Sequence, residues 1–185
     1  MDLSEIRQHI NRIDAQMKGL FLERMSFAAK VAEEKRCTGG SVFVPERERE
    51  ILQMRQKDVG PELAMECRAF FGQLMGISRT YQYAKLAGVC SRAGEIPDRP
   101  GAVDIVFSCG EESGGFASAL NAISLGGLLV LACSAGREGE GSLRCKLRLE
   151  GDFSQELAKA AVLQILEEAD GAVLIPVDDT GANVP

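Results

Sequence analysis

The spacing of apolar residues changes midway along the chain, and the change divides it in two. From Leu3 the apolar positions fall at Ile6, Ile10, Ile13, Met17, Leu20, Phe27 and Val31. Steps of three and four describe one helix from about Leu3 to Lys35, with a heptad seam that packs on other helices. A break follows at Cys37-Thr38-Gly39-Gly40. Pro45 suits the first turn of a second helix, with Glu46 and Glu48 near its positive pole. Gly60-Pro61 ends that helix and opens a third. There Leu63, Cys67, Phe70, Leu74, Ile77 and Tyr81 again step by four and three, and Gly88 suits the stop.

Past residue 88 the period shortens. Residues 89–101 hold a turn-rich run, Ser-Arg-Ala-Gly-Glu-Ile-Pro-Asp-Arg-Pro-Gly, that reads as a linker. Val103–Cys109 reads as a strand, Gly115–Leu125 as a helix closed by Gly126-Gly127, and Leu128–Cys133 as a strand. Leu143–Leu149 alternates apolar and basic residues, as a half-buried strand does. Its apolar side, with Cys145, suits packing on helices. Glu156–Ala169 reads as an amphipathic helix and Ala172–Val177 as the last strand. The expected layout is an all-α domain of three helices (1–88), the linker (89–101), an α+β domain (102–178) and a polar tail (179–185). The order βαββαβ matches the split βαβ, ferredoxin-like sandwich.

Several polar residues break these patterns. Arg24 falls on the first seam, and a guanidinium there needs a partner, because an unpaired buried charge costs several kcal/mol. A structural ion pair would satisfy it. So would a ligand, because Lys35 lies eleven residues on, roughly 20° from the same face and about 16 Å along the axis. Two cations so placed can hold an anion, although Lys35 alone also suits the negative pole at a helix end. Arg7 lies about 26 Å from Arg24 along the axis and roughly 100° around it. The two cannot serve one small ligand within a single straight helix. Arg7 is therefore either a surface residue or a contribution from an antiparallel second copy. Ser78 and Gln82 share a face of the third helix, where they suit either an interhelical hydrogen bond or a ligand. Arg47 and Glu48 open the second helix as an ordinary charged first turn does.

Composition narrows the chemistry. His9 is the only histidine, so a Ser-His-Asp triad would need it as base, and no His-rich metal site exists. The six cysteines include no Cys-x-x-Cys pair, so zinc and thioredoxin-type chemistry lack support. No metal or cofactor is expected. The opening Met-Asp-Leu-Ser-Glu has no basic region before an apolar core, and no apolar run approaches the roughly 20 residues of a membrane helix. A cytoplasmic protein with reduced thiols is expected, with no membrane partner. Net charge is −6 overall. Residues 1–86 carry +2 and residues 87–185 carry −8. That balance argues against nucleic acid and places the cationic excess in the helical half, where it suits a small anion.

Taken together, Ile6-Arg7-x-x-Ile10-x-x-Ile13-Asp14, Leu20-x-x-x-Arg24 and Val31-Ala32-x-x-Lys35 resemble the first helix of the all-α class of chorismate mutase. Pro45-Glu46-Arg47-Glu48 resembles its second-helix motif, and Ile77-Ser78-Arg79-x-x-Gln82 its third. The resemblance covers residues 3 to about 86. It implies an interlocked homodimer that binds chorismate, a dianion, and rearranges it to prephenate. It also implies the roles. Arg24 and Arg7 of the second copy bind the two carboxylates, and Lys35 and Gln82 point at the ether oxygen. Glu48 accepts from the ring hydroxyl, Arg47 supports the carboxylate end and Ser78 lines the site. Val44 departs from members that carry an aspartate there, which leaves only a backbone contact.

Val106-Phe107-Ser108, Glu112-Ser113-Gly114-Gly115-Phe116-x-x-Ala119-Leu120 and Gly126-Gly127-Leu128 resemble an ACT regulatory domain of the kind that ends prephenate dehydratases. The resemblance implies an amino-acid effector at Ser113, Gly114, Gly115 and Phe116. The chain departs from the pattern with serine where the loop usually has proline. It also carries Cys133-Ser134-Ala135-Gly136 where Glu-Ser-Arg-Pro is expected. Weak or absent effector binding and a role in dimer contacts are therefore expected. Two rival functions remain, an isochorismate pyruvate lyase on the same fold and a non-enzymatic amino-acid sensor. Dehydratase activity is excluded, because residues 89–101 leave no room for a catalytic domain.

Overall fold

The computed structural model describes residues 2–110 and 114–177. Three helices come first: α1 (Leu3–Thr38), α2 (Pro45–Gln56) and α3 (Ala64–Leu86). Then come β1 (Pro100–Gly110), α4 (Gly115–Leu125), β2 (Leu129–Arg137), β3 (Ser142–Asp152), α5 (Glu156–Glu168) and β4 (Asp170–Val177). The four strands form one sheet in the order β2-β3-β1-β4, with every neighbouring pair antiparallel.

Local chemistry explains the helix ends. Asp2 caps α1 by accepting from the Glu5 backbone N–H at 2.8 Å, and Glu5 accepts from the Asp2 N–H at 2.9 Å, a reciprocal capping box. Gly39 closes α1 in the left-handed region, at φ 72°, and its N–H reaches the Lys35 carbonyl at 2.8 Å. Pro45 opens α2 at the position where its missing N–H is not needed.

The architecture is layered. Val103, Ile105 and Phe107 of β1 and Cys145, Leu147 and Leu149 of β3 point from the sheet into a core covered by α4 and α5. α3 lies on the outer side of α4 and α5, and α1 and α2 lie against α3. α5 is thus a middle layer, with a buried run from Ala160 to Leu166. The sequence reading gave it one solvated face, which α3 covers instead. Residues 89–101 are packed rather than a free tether. They hold a 3-10 turn at Ser91–Glu95, the buried Ile96 and the start of β1. Arg92 there donates to the carbonyls of Leu166 at 2.6 Å and Ala172 at 2.9 Å, closing the end of α5.

The buried face of α3 also differs from expectation. It is Met75, Ser78, Arg79, Thr80, Gln82, Tyr83, Ala84 and Leu86. The apolar stripe through Leu63, Phe70 and Ile77 stays partly or largely exposed. So do Leu3, Ile6, Ile10, Ile13, Met17 and Leu20 of α1. Contacts with α4 and α5 choose the polar face of α3, because those helices supply matching polar partners. The apolar stripes of α1 and α3 meet across an open groove of about 650 Å³ lined by Met17, Leu20, Phe21, Phe70, Leu74 and Ile77.

The junction of α4 and α5 is tight. A methyl group on Gly126 would lie 2.8 Å from Ala161 Cβ and 3.0 Å from the Leu157 carbonyl. Gly126 has φ −73°, which any residue adopts, so the constraint is steric alone. Gly126→Ala should therefore destabilise by about 1–3 kcal/mol, where an unhindered Gly→Ala change would gain a few tenths. A thermal melt showing no loss would mean the two helices part freely.

Candidate active site

The three helices enclose a cavity of about 380 Å³. α1 contributes Arg24, Phe27, Val31 and Lys35, the turn before α2 contributes Val42 and Val44, and α2 itself Arg47, Glu48 and Ile51. α3 contributes Met75, Ser78, Arg79 and Gln82. Four cations and one carboxylate line one small space. Burial and polar contacts order the side chains. Arg24 Nη1 donates to Ser78 Oγ and to the Leu74 carbonyl at 3.3 Å. Lys35 Nζ donates to the Val42 carbonyl at 3.1 Å and to Gln82 Oε1 at 3.4 Å. Gln82 Nε2 donates to the Ser78 carbonyl at 3.2 Å, which uses one of its two amide protons.

Arg24 therefore meets its need for partners with neutral oxygens. Among the described residues it has no ion pair within 4.0 Å, and its charge faces the cavity. Burial lowers its pKa, against the opposing pull of the Glu48 carboxylate. The Lys35 ammonium is lowered first by burial and then by the like charge of Arg47, with Glu48 again opposing. Both shifts come first from burial, and only that of Lys35 also reports a neighbouring cation.

Residues 6–83 match the chorismate mutase type II family model. A comparison with curated proteins found no match. The family match supports chorismate mutase activity, an isomerisation, and a place in aromatic amino-acid biosynthesis. The matched residues include the whole cavity lining. Of the residues expected at the site, Arg24, Lys35, Val44, Arg47, Glu48, Ser78 and Gln82 all line that cavity. Arg7 does not. It is exposed near the far end of α1, as its axial offset requires within one chain. His9 is also exposed on α1, hydrogen-bonded to Arg12 at 2.8 Å and away from the cavity. Among the described residues no cluster of His, Cys, Asp or Glu could hold a metal ion, and no helix is long and apolar enough to cross a membrane. Of the residues named for an effector, Ser113 lies outside the described residues. Gly114 adopts φ 69° at the start of α4, Gly115 lines a separate cavity, and Phe116 packs against the core.

Sequence reasoning missed Arg79. Its Nη1 donates to both oxygens of Glu48, one at 2.6 Å. Its Nε donates to Glu168 Oε1 at 2.8 Å and its Nη2 to Ser118 Oγ at 2.9 Å. The Phe43 ring stacks 4.9 Å from the guanidinium. Beside it, Thr80 Oγ1 donates to Gln164 Oε1 at 2.5 Å, and Gln164 Nε2 donates to Glu168 Oε2 at 3.2 Å. The signal was available, since Arg79 interrupts a second apolar stripe through Met75, Tyr83 and Leu86, as Arg24 interrupts the first.

Two carboxylates share this one buried guanidinium. Burial works against the charge of Arg79, but Glu168 and Glu48 outweigh it and raise its pKa. One negative charge is then in excess, and the more buried carboxylate carries the penalty. Burial pushes Glu168 up to about 7, although Arg79 opposes the shift. The unfolded chain binds its proton near 4.5. A raised folded value stabilises fully below the unfolded value, and that stability is lost as pH rises through the folded one. Glu168 should thus cost the fold about 2–3 kcal/mol between pH 5 and pH 8, at 1.36 kcal/mol per pH unit. Glu168→Gln should remove that slope. Urea unfolding at both pH values checks this, and parallel pH dependence in the two proteins would contradict it.

Proposed function

We propose that this chain is a homodimeric chorismate mutase that converts chorismate to prephenate. The observation that carries the reading is the cavity itself. Arg24, Lys35 and Arg47 converge there with Ser78 and Gln82, from three helices that are separate in sequence. The reaction is a concerted [3,3] shift in which the ether C–O bond breaks as a C–C bond forms. It needs no nucleophile or general base. It needs the substrate folded into a near-attack conformer and donors for the charge that grows on the ether oxygen. In this reading Arg24 holds one carboxylate, and Lys35 with the second amide proton of Gln82 meets the ether oxygen. Glu48 accepts from the ring hydroxyl and Arg47 supports the carboxylate end. Val44 offers only its backbone. An isochorismate pyruvate lyase could use a similar cationic pocket. A spectroscopic assay of both substrates with the products identified separates the two, and conversion of chorismate without prephenate would overturn the proposal.

The second copy enters through α1. Its first 25 residues contain no buried side chain, and the solvated stripe of Leu3, Ile6, Ile10, Ile13, Met17 and Leu20 supports reading it as an interface. The matching groove beside Phe70 and Ile77 suits the same stripe of an antiparallel copy, which would carry Arg7 into the site. The α+β half is read as an ACT-like unit. Support comes from its βαββαβ order and the strand order β2-β3-β1-β4. Its role is read as dimer contact with at most weak amino-acid binding, because β2 is an edge strand exposed along its length.

Lys35→Ala and Gln82→Ala should each lower kcat by roughly 10²–10³, the usual effect of removing a donor to developing charge. Because Lys35 must be protonated and its pKa is lowered, activity should fall on the alkaline side below the ordinary lysine value. Lys35→Arg should move that limb upward, and a limb that stays in place would clear Lys35 of the role.

Arg7→Ala and Lys35→Ala homodimers should both be nearly inactive. Unfolded and refolded together, they should form heterodimers with one intact site and regain activity. Verified heterodimers that stay inactive would show that Arg7 serves no shared site.

A further inference from the structure

Glu48 and Arg79 line three cavities at once. One is the candidate site, of about 380 Å³. A second, of about 300 Å³, lies between the turn before α2 and the ends of β1, α4 and α5, with Phe43, Phe107, Ser118 and Glu168 in its wall. A third, of about 350 Å³, separates α2 and α3 from α4. Their ion pair is a partition common to all three. The hold on Glu48 is two-pronged, because Arg79 Nη1 meets both of its oxygens. The hold on Arg79 comes from elsewhere, through Glu168 of α5 and Ser118 of α4. α2 has no buried residue and no side-chain cap, so its own packing fixes the Glu48 carboxylate weakly. A flexible carboxylate gains its bearing from the rigid fork that grips it.

We propose that Arg79 is a positioning residue, which aims the Glu48 carboxylate at the substrate and ties that aim to α4 and α5. The proposal rests on the mutase reading, in which Glu48 accepts from the ring hydroxyl. That contact exists before and during reaction, so weakening it raises KM and leaves kcat nearly alone.

The test compares Arg79→Met, Arg79→Lys, Ser118→Ala and Glu168→Gln with the wild type. Arg79→Met should raise KM for chorismate roughly 10–100-fold, the usual scale for a lost hydrogen bond to a charged group, with kcat within about threefold. Arg79→Lys should recover only part of this, since a lysine is a point charge without the fork. Ser118→Ala and Glu168→Gln loosen Arg79 from the far side and should raise KM less, about 2–5-fold, since both leave the grip of Arg79 on Glu48 in place. A chorismate analogue lacking the ring hydroxyl should show no difference between Arg79→Met and wild type. A merely structural role would lower the active fraction, and hence kcat, with KM unmoved. That outcome, or equal losses with the analogue, overturns the proposal. Should Arg79→Met fail to fold, the Ser118 and Glu168 variants decide by the same split. Crystal structures of the variants provide an arm that needs no turnover. The Glu48 carboxylate should leave its place in Arg79→Met, and an unmoved carboxylate overturns the proposal. A wild type inactive on chorismate would sink the mutase reading, and the crystallographic arm would still decide the positioning.

Discussion

A single buried guanidinium joins the two halves of the chain. Arg79 sits where α2, α3, α4 and α5 approach one another, and it makes a polar contact with each of the other three. Removing a charge of this kind from water costs several kcal/mol, which only good geometry and saturated donors recover. The contact therefore leaves little freedom in how α4 and α5 meet the three N-terminal helices. It also explains the polar side of α3. Thr80 and Gln164 continue the same network, and among the described residues no buried side-chain nitrogen or oxygen lacks a partner.

The site proper has the opposite electrostatic character. Arg79 is paired with Glu48 and Glu168, whereas Arg24, Lys35 and Arg47 line the same cavity without an ion pair within 4.0 Å among the described residues. Partial burial lowers the pKa values of Arg24 and Lys35, and the like charge of Arg47 lowers that of Lys35 further. In the mutase reading a bound dianion would offset both. Electrostatic preorganisation of this kind needs no rearrangement of donors during the reaction. It also accounts for the positive balance of residues 1–86 in an otherwise acidic chain.

Much of this was legible in the sequence, for a geometrical reason. Helix periodicity fixes both the angle and the axial height of each residue. Periodicity placed Arg24 with Lys35 on one helix face and Ser78 with Gln82 on another, and the resemblance to the mutase family was what brought the two faces to a common space. The strands and helices of the α+β half were legible for the same reason, to within a few residues at most ends. What stayed hidden depends on contacts between distant segments. The partners of Arg79 lie 31, 39 and 89 residues away. The outer face of α5 looked solvated because nothing local announces that α3 will cover it. The buried face of α3 was misjudged because its most apolar stripe is not the one its own chain covers.

The architecture of α2 carries one more consequence. It is twelve residues long, and none of them is buried. It supplies Arg47 and Glu48 to the cavity and forms one of its walls. An element that buries so little is held mainly by the Glu48–Arg79 pair, so its local opening free energy lies below that of the sheet and α5. Opening of α2 alone would uncover the cavity while the core remained folded. A ligand bridging Arg47 to Arg24 across the cavity would then act as the missing core of α2, and amide exchange in this one helix would report occupancy of the site.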